Sequence, residues 1–441
     1  MRDDAVAIFT AGVAAVDPVA VVQRHAVLNG NALYVGETAL DLNAFRRILV
    51  VGAGKAAASM AGALEDLLGD RISGGVVVVK DGHGIALRNI RVCQGGHPVP
   101  TAEGHKGTEQ IISLVQSAEE NDLILCVISG GGSALLTAPA EGLQLADKQA
   151  VTRLLLAAGA TIHEINTVRK HLSRVKGGRL ALNAFPATVV TLILSDVIGD
   201  DLDVIASGPM VPDASTFSDA RDVLHRYSVW DRLPPMVRQY LDAGIAGTVS
   251  DTPKPGLPAF ERCFNTIVGT NRQALSAAAG MAEQLGYYTS ILSDKLNGEA
   301  RDKAVELCEK AKVVLHKGTF RSLPACLLCG GETTVTIAGE GKGGRNQEFA
   351  LAAAIAIANE NNIVVMAAGT DGTDGPTDAA GAIADGSTMS RAQEKGMSPE
   401  TFLEENNAYM FFKPLDDLLI TGPTRTNVMD IYMALVRKPQ E

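Results

Sequence analysis

Several glycine-rich turns carry the residue types that anion chemistry needs. Gly52-Ala53-Gly54-Lys55 sets a compact ammonium beside bare backbone amides where an apolar run gives way to an Ala-rich segment, a junction that suits a phosphate group. No GxxxxGK[ST] motif is present, so this is not a Walker A loop; GxGxxA over residues 52–57 also fits a dinucleotide fingerprint, with Asp81 as ribose partner. Ser129-Gly130-Gly131-Gly132-Ser133 follows a second apolar run, and its consecutive amides can curl into an anion-binding nest or form a plain flexible turn. Gly343-Gly344-Arg345 opens a long apolar segment, which places an arginine at a helix start as an anion clamp.

Charged residues cluster at four further places. Arg169, Ser173 and Lys176 fall at i, i+4 and i+7, one face of a helix expected over 166–181, and concentrate positive charge in an acidic chain; a solvated basic face is the bland alternative. Asp196, Asp200 and Asp201 follow an apolar run and could serve as base, as metal ligands, or as caps and turns. Glu332 follows Gly330-Gly331. In the loop 369–375, Asp371 and Asp374 miss the alternating spacing of an EF-hand, whereas Mg²⁺ needs only one or two carboxylates. No HExxH or GxSxG occurs, which removes support for zinc proteolysis and α/β-hydrolase chemistry. Cys326 and Cys329 form a CxxC, but in a strand their sulfurs would face opposite ways, so the cysteines read as structural. His83 and His97 read as loop hydrogen-bonders, with a substrate contact open to His97.

The elements that must position these groups alternate in a βα rhythm. Apolar β-branched runs at 47–51, 76–79, 122–128 and 188–194, with helices expected at 146–159 and 166–181, predict a doubly wound parallel sheet. Three prolines within 253–258 cannot continue a helix or a central strand. They set an expected boundary between domains 1–250 and 251–441, the second with strands at 266–268, 327–328, 333–337, 363–366 and 418–420. At 441 residues, two cores are expected. A net charge of −11 argues against a general nucleic-acid or anionic-membrane surface, so an anionic ligand must be held locally. No apolar stretch approaches the ~20 residues a spanning helix needs, and the N-terminus lacks a basic secretory n-region, so cytoplasmic residence is expected.

In order, VGAGKA at 51–56, SGGGSALL at 129–136, INTVRKHLSRVKGGRLA at 165–181, SDVIGDDLDVIASGP at 195–209, GGETTVT at 330–336, GGRNQEFAL at 343–351, GTDGTDGPTDAAGA at 369–382 and TGPTRTNV at 421–428 resemble the type II glycerate kinase family, whose second half is the MOFRL domain. The resemblance runs nearly end to end. It implies an α/β protein with an N-terminal Rossmann-like domain and a C-terminal MOFRL domain, the active site in the cleft between them; because motifs from both domains must meet there and the Pro-rich segment near 253–258 can sit at the hinge, the two are expected to close around ligand. The chain departs from the family pattern at Met210, Cys329 and Arg425, the last where glycine is common.

The reaction so implied is transfer of the γ-phosphoryl group of ATP to D-glycerate, giving 2-phosphoglycerate. By motif, active-site positions fall on Lys55, Glu332, Arg345, Asp371 and Asn427, with Asp196 a further candidate. Phosphoryl transfer then suggests Lys55 and Arg345 as charge neutralisers, Asp371 with Glu332 or Asp374 for Mg²⁺, and Asp196 to take the hydroxyl proton. Gly52, Gly54, the 129–133 loop, Arg169, Lys176 and Asn427 would hold substrate or phosphate. ATP and glycerate are the partners, with neither nucleic acid nor membrane among them; a homodimer is compatible and nothing in the residues requires it. Two other readings stand beside this one: an NAD(P)H-dependent hydroxypyruvate reductase, which leaves the acidic loop without a task, and a non-catalytic metabolite-binding regulator.

Overall fold

A computed structural model describes residues 1–317 and 323–438, and the chain divides into a unit Pro18–Val268 and a unit of Met1–Asp17 with Gly269–Glu441.

In the first unit a meander of β1 (Ala26–Asn29), β2 (Ala32–Val35) and β3 (Thr38–Asp41) accompanies a six-stranded sheet. The sheet comprises β4 (Arg47–Ala53), β5 (Ile72–Lys80), β6 (Ile90–Gly95), β7 (Asp122–Ile128), β8 (Thr188–Leu194) and β9 (Cys263–Gly269), in the order β6-β5-β4-β7-β8-β9. β4 through β8 are parallel. Helices cover both faces of β7 and β8, which are buried along their whole length; unbroken apolar runs result where a one-sided sheet would alternate. The chain leaves β4 toward β5 on one side and takes up β7 on the other, so the order reverses between β4 and β7. Ligands of open parallel sheets bind outside the carboxyl ends of the strands at such a point.

The second unit has a mixed sheet of β10 (Tyr288–Leu296), β11 (Ala325–Gly331), β12 (Ile363–Gly369), β13 (Gly381–Asp385), β14 (Leu418–Leu419) and β15 (Asp430–Val436), in the order β10-β11-β15-β12-β13-β14. β10 and β11 are parallel; the other pairs are antiparallel. Because β15 runs against both neighbours, Asp430 stands in register with Gly331 on one side and Gly369 on the other. The exits of β11 and β12 and the entry of β15 therefore share one edge. The helices Ala300–Lys317 and Arg345–Ala356 pack on this sheet.

Four expectations change. The helix Arg2–Ala15 buries Ala5, Ile8 and Phe9 and packs on the helix Asn271–Gln284, so the first residues belong with the second unit. The division falls at 268/269 rather than 250/251, because the proline-rich stretch stays within the first unit: Pro253 O accepts from Asp213 N, and the strand expected at 266–268 is the outer strand β9 beside β8. The helix expected over 166–181 ends at His171, where the Ser173 hydroxyl accepts from the Val175 and Lys176 amides and turns the chain before a short helix Arg179–Ala184. Residues 333–337 form no strand; Thr334 makes one isolated bridge to Glu299. Among the described residues no single helix is long and apolar enough to cross a membrane.

Candidate active site

The turn after β4 and the loop after β7 meet at the reversal point. A side chain on Gly52 would strike Val127 O at 2.1 Å and one on Gly54, at φ 141°, would strike Ser129 Oγ at 2.1 Å, so these glycines let the two strands' ends close together. Lys55 N donates to Gly130 O (2.8 Å) and Ala56 N to Ser129 Oγ (2.9 Å). Those two amides open the helix Ala57–Leu68, and both are already satisfied by the β7 loop. They are not offered to a pyrophosphate, which removes the central requirement of the dinucleotide reading.

Lys55 is half-buried beside this loop: a Cβ on Gly131 would lie 3.5 Å from Lys55 Cγ and 2.9 Å from His97 Cδ2. His83 Nδ1 lies 3.1 Å from Lys55 O. The exits of β4, β5, β6 and β7 thus bring Lys55, His83, His97 and the glycine loop to one sheet edge. Asp196, two residues beyond β8 and half-buried, shares that edge. Behind the loop, Ser133 Oγ lies 2.9 Å from Ser207 Oγ, which in turn donates to Asn166 Oδ1 (2.9 Å). Ala206 and Ser207 hold φ of 50° and 62°, a left-handed conformation costing about 1–2 kcal/mol per residue for non-glycine types. Lys176 is buried and donates to Ser133 O (2.8 Å) and Ala206 O (3.4 Å), joining the strained segment to the loop. Burial, with Arg169 and Lys148 nearby, holds the Lys176 ammonium far below the usual lysine pKa; burial also lowers that of Arg169.

In the second unit the candidate residues gather around Arg345. Its Nε and Nη2 donate to Asp430 at 2.5 and 3.0 Å, and its Nη1 sits 3.0 Å from Glu332 Oε1. Burial alone would lower the guanidinium pKa, but the two carboxylates raise it, so Arg345 is charged and already engaged. It is therefore not an open clamp: its inner edge is fixed by fully buried Asp430, and its outer edge meets Glu332, whose side chain is 46% exposed. Asp430 also accepts from Tyr432 OH (2.9 Å) and Asn346 Nδ2 (3.1 Å).

Asp374 is the clearest correction. It accepts from Asn346 N (3.1 Å), Asn346 Nδ2 (3.3 Å) and Gln347 N (2.8 Å), capping the helix Arg345–Ala356. Both oxygens are occupied and the residue is 2% exposed, so it is a cap and not a metal ligand. Burial pushes its pKa up to about 7 against the two amide bonds that oppose it. Asp371 Oδ1 accepts from Thr373 N (3.0 Å) and Thr373 Oγ1 (3.1 Å) in a tight turn. Among the described residues no three His, Cys, Asp or Glu side chains are grouped to hold a metal; Asp371 and Glu332 remain as single carboxylates at the shared edge. That donor set fits Mg²⁺, which takes one or two protein carboxylates and fills its shell with water and phosphate oxygens, and does not fit an all-protein cage.

Asn427 accepts from Met429 N through Oδ1 (3.2 Å), in a loop bound to the acidic turn by Thr424 Oγ1 donating to Thr370 O (2.6 Å). Arg425 in that loop has φ 66°, which accounts for glycine at this place in the family pattern. Two residues escaped the sequence reading. Asp430 heads the apolar run 431–436, and Lys148 is the lone cation on a buried helical face; a charge inside an apolar pattern was the available signal for both.

A family profile described as "Domain of unknown function (DUF4147)" matches residues 4–242, and that of the MOFRL family matches residues 325–430. The chain is similar to the glycerate 2-kinase of Pyrococcus horikoshii, 44% identical over 88% of this chain and 87% of that one. It is similar to the D-glycerate 2-kinase of Thermotoga maritima, 43% identical over 91% of this chain and 93% of that one. A crystal structure of glycerate kinase from Thermotoga maritima superposes with a TM-score of 0.86 at 40% identity, covering 99% of each chain.

Proposed function

The chain belongs to the type II glycerate kinase family with a C-terminal MOFRL domain, and from that premise we propose that it transfers the γ-phosphoryl group of ATP to the 2-hydroxyl of D-glycerate. The observation that carries the residue roles is the fusion of the Lys55 turn with the 129–133 loop at the sheet's reversal point, which leaves an ammonium, glycine backbone and serines at the edge where such sheets take ligands.

Phosphoryl transfer asks a protein for position and charge neutralisation. Lys55, fixed by two loops, supplies the ammonium that meets charge developing on the transferring group. Asp196 accepts the proton that leaves the acceptor hydroxyl. Gly52 and Gly54 shape the turn, and Gly130, Gly131, Gly132, Ser129 and Ser133 shape the loop that receives substrate. In the other unit Arg345 presents the guanidinium edge that Glu332 meets, and Asn427 supports the loop beside Asp371. Mg²⁺ would be held by Asp371 or Glu332, where it would offset negative charge on nucleotide phosphates. The six cysteines are all free thiols, which supports a reducing, cytoplasmic setting.

The test is incubation with ATP, Mg²⁺ and D-glycerate followed by ³¹P NMR. A 2-phosphoglycerate signal is expected. A 3-phosphoglycerate signal overturns the regiochemistry, and unchanged ATP overturns the reading.

A further inference from the structure

Lys148, Arg169 and Lys176 come from three stretches of the first unit: the helix Leu145–Ala157, the helix Ile162–His171 and the turn beyond it. Lys148 is 7% exposed, and its ammonium is buried with no hydrogen-bond partner among the described residues. Lys176 is 1% exposed and spends two donors on carbonyls, Ser133 O and Ala206 O. Among the described residues no carboxylate pairs with Lys148, Arg169 or Lys176. The adjacent Lys170 shows what a neutralised cation here looks like, with Asp203 at 3.2 Å and Asp213 at 3.3 Å.

An unpaired buried charge is expensive, and three cations gathered without a counter-charge are self-repelling. Such a cluster opposes folding unless something else gains from it. The electrostatics agree: burial and Arg169 push Lys148 down to about 7, and burial with Arg169 and Lys148 lowers Lys176. An anion bound among them would offset their mutual repulsion and supply the missing partner.

We propose that Lys148, with Arg169 and Lys176, forms the subsite that holds the carboxylate of the hydroxy-acid substrate behind the Ser133 end of the glycine loop, and so makes the enzyme choose acids over neutral polyols. This rests on the kinase reading above. The occupant is a compact oxyanion, since the Lys148 ammonium is buried without a hydrogen-bond partner and a group that reaches it must shed its hydration shell. The tie from Lys176 to Ser133 sets that anion against the loop which Lys55 flanks, so the carboxylate end of a small acid is fixed while its hydroxyl carbon faces the reacting side.

The experiment compares wild type with Lys148→Met, which keeps the stem and removes the charge, and with Arg169→Gln. For both variants the KM for D-glycerate is expected to rise on the order of 100-fold, with the KM for ATP changed less than about twofold. A rise in the KM for ATP in place of that for glycerate assigns the cluster to a donor phosphate and overturns the proposal, as does an unchanged KM for glycerate. A second readout needs no turnover. Ligand-free Lys148→Met is expected to melt above wild type, because an unpaired charge has gone, and D-glycerate alone is expected to raise the melting temperature of wild type but not of the variant. A lower melting temperature for Lys148→Met, or no shift with D-glycerate in wild type, overturns the subsite. Should wild type phosphorylate nothing yet show a Lys148-dependent shift with D-glycerate, the kinase reading falls and the subsite stands.

Discussion

Ser129 Oγ accepts a hydrogen bond from the Ala56 backbone amide at 2.9 Å, so the turn carrying Lys55 and the loop after β7 are one mechanical piece. Ser129→Ala leaves that buried amide without a partner. A loss of about 1–3 kcal/mol in urea unfolding is expected, together with a drop in kcat as Lys55 loses its fixed position. Unaltered stability and kcat would show that the amide finds another acceptor.

Lys55→Ala is expected to leave the thermal midpoint within about 2 °C while lowering kcat on the order of 100-fold or more, since the side chain is only half-buried. Lys55→Arg restores little, because a planar fork does not occupy the place of a compact ammonium beside Gly131. Steady-state kinetics alongside calorimetry decides it: normal kcat in a folded Lys55→Ala protein makes the lysine a solvated turn residue.

Asp371 and Asp374 sit three residues apart and are expected to separate cleanly. Asp371→Asn raises the Mg²⁺ concentration for half-maximal rate about tenfold or more, whereas Asp374→Asn leaves it within about twofold. The cap has its own signature. With a folded pKa near 7 against the ordinary 3.8, the native state keeps a proton that the unfolded state has lost, so this group makes stability fall as pH rises from about 4 to 7. Denaturation across that range should show a flatter profile for Asp374→Asn.

At the opposite end of β7, fully buried Asp122 is held by Arg47, whose Nη2 donates at 2.6 Å. Burial would raise its pKa, but bonds from Arg47, the Glu119 amide and Arg46 outweigh it and bring it to about 2. A depressed carboxylate contributes stability that is complete above about pH 4 and lost as pH falls toward 2. Asp122→Asn is expected to cost about 2–4 kcal/mol at pH 7, the gap from wild type narrowing as the buffer is taken to pH 2. A gap that stays constant with pH would locate the loss in packing.

What the sequence made legible was whatever a strand buried on both faces must show. The runs 122–128 and 188–194 have no polar face to disguise them, and the glycine loops that follow lie where parallel topology puts ligand sites. Topology itself was not legible. Nothing local in Arg2–Ala15 says that its apolar face meets residues 271–284, and Thr266–Val268 reads alike as an outer strand of either sheet. Within the site, Asp374 has the composition of a metal ligand; only the position of the Asn346 and Gln347 amides makes it a cap. Ser173 ended the expected helix through a side-chain bond that apolar spacing does not register.

The place of β15 gives the two units different histories during synthesis. Residues 18–268 contain every strand of their own sheet, so that unit can close while the ribosome is still at work on the rest. The other sheet cannot: β11 and β12 never pair with one another and are joined only through Asp430–Val436, which must arrive between them, and the helix Arg2–Ala15, made before the strands of its own unit, lacks its packing surface until residues 271–284 exist. Until then one edge each of β11 and β12 and the apolar face of that helix stay without their partners, the condition in which strand edges are open to pairing with other chains.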